Sequence, residues 1–135
     1  MTHKIAEIKG LTPEAQAKLV AAHITNTDEL VNEARTPQQR NALAKQLGVS
    51  PSQLTEWVNR ADLMRLKGVG TEMANLLEEC GVDSVKELQH RKADTLATKL
   101  KEANDAKHIT HHAPTLQQVE EWISEAHTLS ASAPA

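Results

Sequence analysis

The chain has 135 residues, 39% hydrophobic and 24% charged, which fits one globular domain or two very small ones. It lacks the apolar run of about 18 residues that a membrane span needs and the apolar stretch of a signal peptide, so we expect a cytoplasmic protein. A single cysteine, Cys80, excludes an internal disulfide, while the net charge of -3 and only two aromatic residues, Trp57 and Trp122, disfavour a binder that stacks nucleic-acid bases.

Two parts of the chain resemble each other, and we interpret the sequence as a tandem duplication. Residues 8–30 align with residues 66–88, and Trp57 aligns with Trp122. This alignment predicts a first repeat over residues 1–62 and a second over residues 63–129. The second repeat would carry a loop insertion near 103–114, and we expect residues 130–135 to be a disordered tail.

In chain order, helix starts are indicated at Thr12-Pro13, Thr36-Pro37 and Ser50-Pro51. A hydroxyl side chain there can cap the first amides, and proline at the first helical position has no N–H to leave unpaired. Apolar residues then recur at helical spacing, and no alternating strand pattern is present. The sequence therefore predicts an all-α protein, with one long helix from Pro51 to Leu66 shared by the two repeats.

The segment from Leu43 to Trp57 also fits the spacing of a DNA-reading helix-turn-helix. In that interpretation the helix from Pro51 to Arg60 enters the major groove, where Gln53 and Asn59 could contact adenine. The same spacing is required by two helices that simply pack around a glycine turn, so both interpretations stay open.

The segment from Leu63 to Leu77 contains Gly68-Val69-Gly70 followed by Ala74, and this pattern resembles the helix-hairpin-helix motif. The two glycines permit a tight turn, Val69 can plug the core, and Ala74 lets two helices approach closely. The resemblance implies that free N–H groups at the start of the second helix hold a nucleic-acid phosphate without reading sequence.

The earlier copy of this turn departs from the motif, because Gly10-Leu11 is followed by Thr12-Pro13 where the second glycine should be. Lys9 and Lys67 precede the two turns and add positive charge, whereas the acidic residues Glu72, Glu78 and Glu79 would repel a phosphate. Both hairpins could therefore also be purely structural. Candidate nucleic-acid contacts are Lys67, Gly68, Val69, Gly70, Thr71, Lys9, Gly10, Arg91, Lys92, Lys99 and Lys101.

The last four of these candidates form a local basic cluster that either adds phosphate contacts or is a solvated helix face. His108, His111 and His112 lie in the predicted insertion. They could form a metal-binding cluster, but we expect them to be exposed loop residues. We predict no metal and no cofactor. No nucleophile elbow, phosphate loop or metalloprotease helix is present, so we expect no enzymatic activity.

Over roughly residues 4–129 the order of elements resembles an uncharacterised bacterial family with two such hairpins, catalogued as a domain of unknown function. The resemblance implies two fused, SAM-like helix-hairpin-helix repeats. We expect a non-enzymatic module that makes weak, sequence-independent contacts with the DNA backbone. The alternative is a protein–protein adaptor or scaffold. We expect neither a membrane nor a small-molecule substrate as partner.

Overall fold

The computed structural model describes residues 3–129, and this part of the chain is helical, as predicted. A 3-10 helix at Ile5–Glu7 is followed by eight α-helices. They are α1 (Pro13–Ala21), α2 (Thr27–Glu33), α3 (Pro37–Leu47), α4 (Pro51–Leu63), α5 (Thr71–Glu79), α6 (Val85–Leu88), α7 (Ala93–Lys107) and α8 (Leu116–Leu129). None of the described helices is long and apolar enough to cross a membrane.

Most of these helices begin at a side-chain cap that is visible in the sequence. Thr36 accepts a hydrogen bond from the amide of Gln39, and the Gln39 side chain accepts one from the amide of Thr36. Thr115 and Gln118 form the same reciprocal pair at α8. Each cap satisfies amides that would otherwise have no partner, which stabilises the helix by about 1 kcal/mol.

The helices of the two halves pair in the same way. In the first half α1 packs on α3, while α2 and α3 both pack on α4. In the second half α5 packs on α7, while α6 and α8 pack together and α7 also contacts α8. Contacts between α4 and α5 join the halves. The buried hydrophobic residues form a single core that runs through both halves and includes Trp57 and Trp122.

A buried carboxylate ties α4 to α6. The Oδ2 atom of Asp62, on α4, accepts a hydrogen bond of 2.8 Å from the amide of Val85 at the start of α6. Its Oδ1 atom lies 3.1 Å from the guanidinium of Arg65. Burial nevertheless raises the pKa of Asp62, because desolvation outweighs these favourable contacts.

The structure differs from the sequence prediction in two places. Helix α4 ends at Leu63 instead of Leu66, because the next residues form tight turns in which the amide of Leu66 bonds the carbonyl of Leu63. The predicted loop at 103–114 is helical as far as Lys107, because α7 continues to that residue. The expected tail at 130–135 lies outside the described residues.

Candidate nucleic-acid interface

The second hairpin turn, residues 66–70, connects α4 to α5. Gly68 has a φ of 84°, a left-handed conformation that favours glycine. Val69 is fully buried and fills the core beneath the turn, as its sequence position predicts. Its amide donates to the carbonyl of Leu66, so this amide is not available to a ligand.

Helix α5 starts at the surface without a side-chain cap. Its N-cap residue is Gly70, which has extended dihedral angles and no side chain to accept from the first amides. A Cβ atom added at Gly70 would meet no heavy atom within 4 Å, so the space in front of the helix is open. The amides of Gly70 and Thr71 have no hydrogen-bond partner among residues 3–129.

Helix α8 holds the other side of this turn. The indole Nε1 of Trp122 donates to the carbonyl of Lys67 over 2.9 Å. The amide of Lys67 donates over 2.9 Å to a carboxylate oxygen of Glu125. The predicted set of backbone donors is therefore reduced to Gly68, Gly70 and Thr71, while the Lys67 side chain stays exposed.

The loop between α7 and α8 reaches the start of α5. His111 and His112 line a groove of about 510 Å³ together with residues 70–73. Their rings pack edge to face, 4.8 Å between centroids. The sequence predicts a loop for these histidines but does not indicate that they share a groove with the start of α5, because that depends on the path of the loop. Within residues 3–129 no group of three or more His, Cys, Asp or Glu side chains is arranged to hold a metal ion.

The first hairpin turn, residues 8–12, has fewer free hydrogen-bond donors for an anion than the second turn has. Gly10 has a φ of 86°, close to that of Gly68. However, Thr12 caps α1 by accepting from the amide of Ala15, and the Arg60 guanidinium donates to the carbonyl of Lys9. The cap engages the amide of Ala15 and Pro13 has no N–H, so the start of α1 offers fewer free donors than the start of α5.

The predicted basic cluster divides into three parts. Arg91 is engaged, since it pairs with Glu87 and donates to the carbonyl of Gly81. Lys92 and Lys99 are exposed and line a small groove at the start of α7, which also lacks a side-chain cap. Lys101 is exposed but does not line this groove.

The basic groove lies toward the far end of α5 from the hairpin turn. The charge of Lys99 acts on the Cys80 thiol, which follows the last residue of α5, although burial is the larger effect and raises the pKa of this thiol. Helix α5 has nine residues and is about 13 Å long, and the hairpin turn and the basic groove lie toward its opposite ends.

Two of the three acidic residues of α5 that were expected to repel a phosphate lie at the far end of the helix and are paired with cations. Glu78 lies 3.1 Å from the guanidinium of Arg60, and Glu79 lies 2.6 Å from the ammonium of Lys107. Burial still raises the pKa of Glu78 against the attraction of Arg60. Glu72 is exposed in the first turn of α5, and the Glu125 carboxylate binds the amide of Lys67, so both charges oppose a phosphate at this turn.

The geometry disfavours the helix-turn-helix interpretation. Helix α4 packs against α2, α3 and α5, and on its polar side Gln53, Asn59 and Arg60 are half-buried. Gln53 bonds Glu56 and Arg60 bonds Glu78, which engages two of the residues on its polar side.

A family model described as Domain of unknown function (DUF4332) matches residues 9–129 of the chain. No curated protein matches the chain, and no solved structure matches it.

Proposed function

The chain belongs to the DUF4332 family, whose description assigns no activity, and we propose that this member is a non-enzymatic module that binds the DNA backbone weakly through its second hairpin turn. The ligand is a phosphate group, and the proposed donors are the amides of Gly68, Gly70 and Thr71. Because these donors contact only the backbone, binding is independent of base sequence.

The observation that carries the proposal is the open, uncapped start of α5. A side chain caps α1, α2, α3, α4, α6 and α8 by accepting from the third helical amide, whereas α5 and α7 have no side-chain cap, and Gly70 leaves the amide of Met73 without one. The helix dipole adds about half a positive charge at this end, and exposed amides together with that charge favour an anion.

Exposed lysines extend the proposed contact surface. Lys67 flanks the turn, and Lys92 and Lys99 lie at the other end of α5; none of the three has an ion-pair partner within the described part of the chain. One charge occurs per 3.4 Å of axis on each DNA strand, so the length of α5, about 13 Å, corresponds to roughly four phosphates of one strand. The turn and the basic groove could therefore contact different phosphates of the same duplex.

The test is the binding of a short DNA duplex, titrated at several salt concentrations. If about three phosphates are neutralised, the affinity falls about 40-fold between 50 and 200 mM salt. Gly70→Glu should abolish binding and leave the fold intact, because the added side chain enters open space. Ala42→Glu, an equal change of charge at an exposed position on α3, is the matched control and should lower the affinity only slightly. Absence of binding by the unmodified chain at low salt would refute the proposal.

A protein–protein adaptor is the second candidate, and the acidic residues around the turn favour it. Glu125 occupies the amide of Lys67, and Glu72 is exposed at the start of α5. A pull-down that recovers one stoichiometric protein partner and is insensitive to nuclease would support the adaptor over the DNA-binding module.

A further inference from the structure

The two tryptophans occupy matching positions in the halves but differ in their hydrogen bonds. Trp122 Nε1 donates to the carbonyl of Lys67. Trp57 is 1% exposed, and its Nε1 is buried with no hydrogen-bond partner. A buried N–H without an acceptor is costly, so its presence at this site needs an explanation.

The acceptor that Trp57 would be expected to use already accepts from another donor. Lys9 matches Lys67 in the alignment, and its carbonyl accepts from the Nη1 of Arg60. Both donors lie beside the same glycine. The position that a Cβ would take at Gly10 is 3.2 Å from Arg60 Nη1 and 3.7 Å from Trp57 Nε1. Two donors of one helix, α4, therefore converge on one turn.

The guanidinium of Arg60 is held in place from the second half of the chain. Its Nε donates to both carboxylate oxygens of Glu78, at 3.1 and 3.2 Å, and both side chains are largely buried. Arg60 thus connects the first hairpin turn to α5. The second half has no such connection, because the residue matching Arg60 is Glu125, which binds the amide of Lys67 instead.

We propose that Arg60 and Trp57 compete for the carbonyl of Lys9, so that the first hairpin turn has two hydrogen-bonded states selected by the Arg60–Glu78 ion pair. With the pair intact, Arg60 holds the carbonyl and the Trp57 N–H is left without an acceptor. When the pair breaks, the indole of Trp57 takes the carbonyl, and the turn adopts the hydrogen bond of its counterpart at Lys67. The exchange removes the link from Lys9 through Arg60 to Glu78, which connects the two halves. In its place it forms a hydrogen bond between Trp57 and Lys9 within the first half.

Several charged groups surround the Arg60–Glu78 ion pair and affect its strength. Glu78 is approached by the negative charges of Glu56 and Asp83, and both raise its pKa in addition to burial. Lys9, Glu79 and Lys107 line the same groove as the ion pair. The Trp57 N–H replaces Arg60 as the donor, so the Lys9 carbonyl still accepts a hydrogen bond and the loss of the Arg60 bond is offset.

The test is the NMR resonance of each indole N–H in the full chain, assigned by separate Trp57→Phe and Trp122→Phe variants. In the unmodified protein, we expect the Trp122 signal downfield of the Trp57 signal, because only Trp122 is hydrogen-bonded. Arg60→Met should move the Trp57 signal downfield, toward that of Trp122. Glu78→Gln should move it in the same direction, whereas the neighbouring change Glu79→Gln should leave it in place.

A Trp57 signal that does not move in Arg60→Met, while the Trp122 signal reports an intact fold, would overturn the proposal. If Arg60→Met unfolds the chain, Glu78→Gln decides alone. An unchanged Trp57 signal in that folded variant would likewise overturn it, and a downfield shift would support it.

Discussion

Replacing Gly70 by aspartate should stabilise the protein and weaken its binding to DNA, and this opposition distinguishes a binding site from a simple helix connection. Gly70 is an N-cap residue with φ -95° and ψ -166°, angles that aspartate adopts without strain. The carboxylate would accept from the open amides of α5. A better cap contributes a few tenths of a kcal/mol, and a negative charge at the helix start adds about 0.3–1 kcal/mol.

The expected stabilisation by Gly70→Asp is therefore about 0.5–1 kcal/mol, which raises the melting temperature by about 2–4 °C for a domain of this size. The carboxylate also occupies the donors that a phosphate would use, so the affinity for a DNA duplex should fall at least about tenfold, or about 1.4 kcal/mol. Thermal unfolding measures the first effect, and fluorescence anisotropy at low salt measures the second.

Two further variants at Gly70 separate capping from charge. Gly70→Ser caps the helix without a charge, so it should stabilise the fold by a few tenths of a kcal/mol and weaken binding less than aspartate does. Gly70→Ala adds a methyl group in open space, supplies no cap and should retain binding. If Gly70→Asp raises the melting temperature but leaves DNA binding unchanged, these amides are not the phosphate site. If it lowers the melting temperature, the capping argument is wrong.

Three other substitutions test the packing and electrostatics of the fold. Trp122→Phe should cost about 1 kcal/mol more stability in urea unfolding than Trp57→Phe, because only Trp122 loses a hydrogen bond, and equal costs would contradict this. Because burial raises the pKa of Asp62 above its ordinary 3.8, the folded chain binds a proton more readily than the unfolded chain. Between that value and the raised pKa of the folded chain, we expect the unfolding free energy of the natural chain to rise relative to that of Asp62→Asn as the pH falls. A relative decrease would show that the pKa of Asp62 is not raised by folding. His23 has a φ of 65° where the second half has Gly81, so His23→Gly should raise the unfolding free energy by about 0.5–1 kcal/mol in the same assay. An unchanged or lower value would show that the left-handed histidine is not strained.

Much of the fold could be predicted from the sequence, because local chemistry determines where the helices start. Thr12, Thr36 and Ser50 each precede a proline and cap the helix that follows. The residues aligned between the halves also adopt matching conformations. The left-handed glycines at 10 and 68 are one example, and the turns at His23 and Gly81 are another.

The details of the candidate site could not be predicted, because they depend on which distant side chains reach it. The pairing of Glu125 with the Lys67 amide joins residues far apart in the chain, and no local pattern indicates it. Arg91 was grouped with neighbouring lysines by sequence, but its guanidinium donates to the turn at Gly81. The end of α4 was also missed, since the tight turns at 64–66 contain no proline or glycine that would mark them.

We propose that the open amides at the second hairpin turn bind a phosphate of DNA. Titration of a short duplex into the ¹⁵N-labelled chain at low salt tests it most directly, because each backbone amide reports separately. We expect the largest changes in amide chemical shift at Gly68, Gly70 and Thr71, and smaller changes near Lys92 and Lys99. Shifts confined to other surfaces, or no shifts at all, would contradict it.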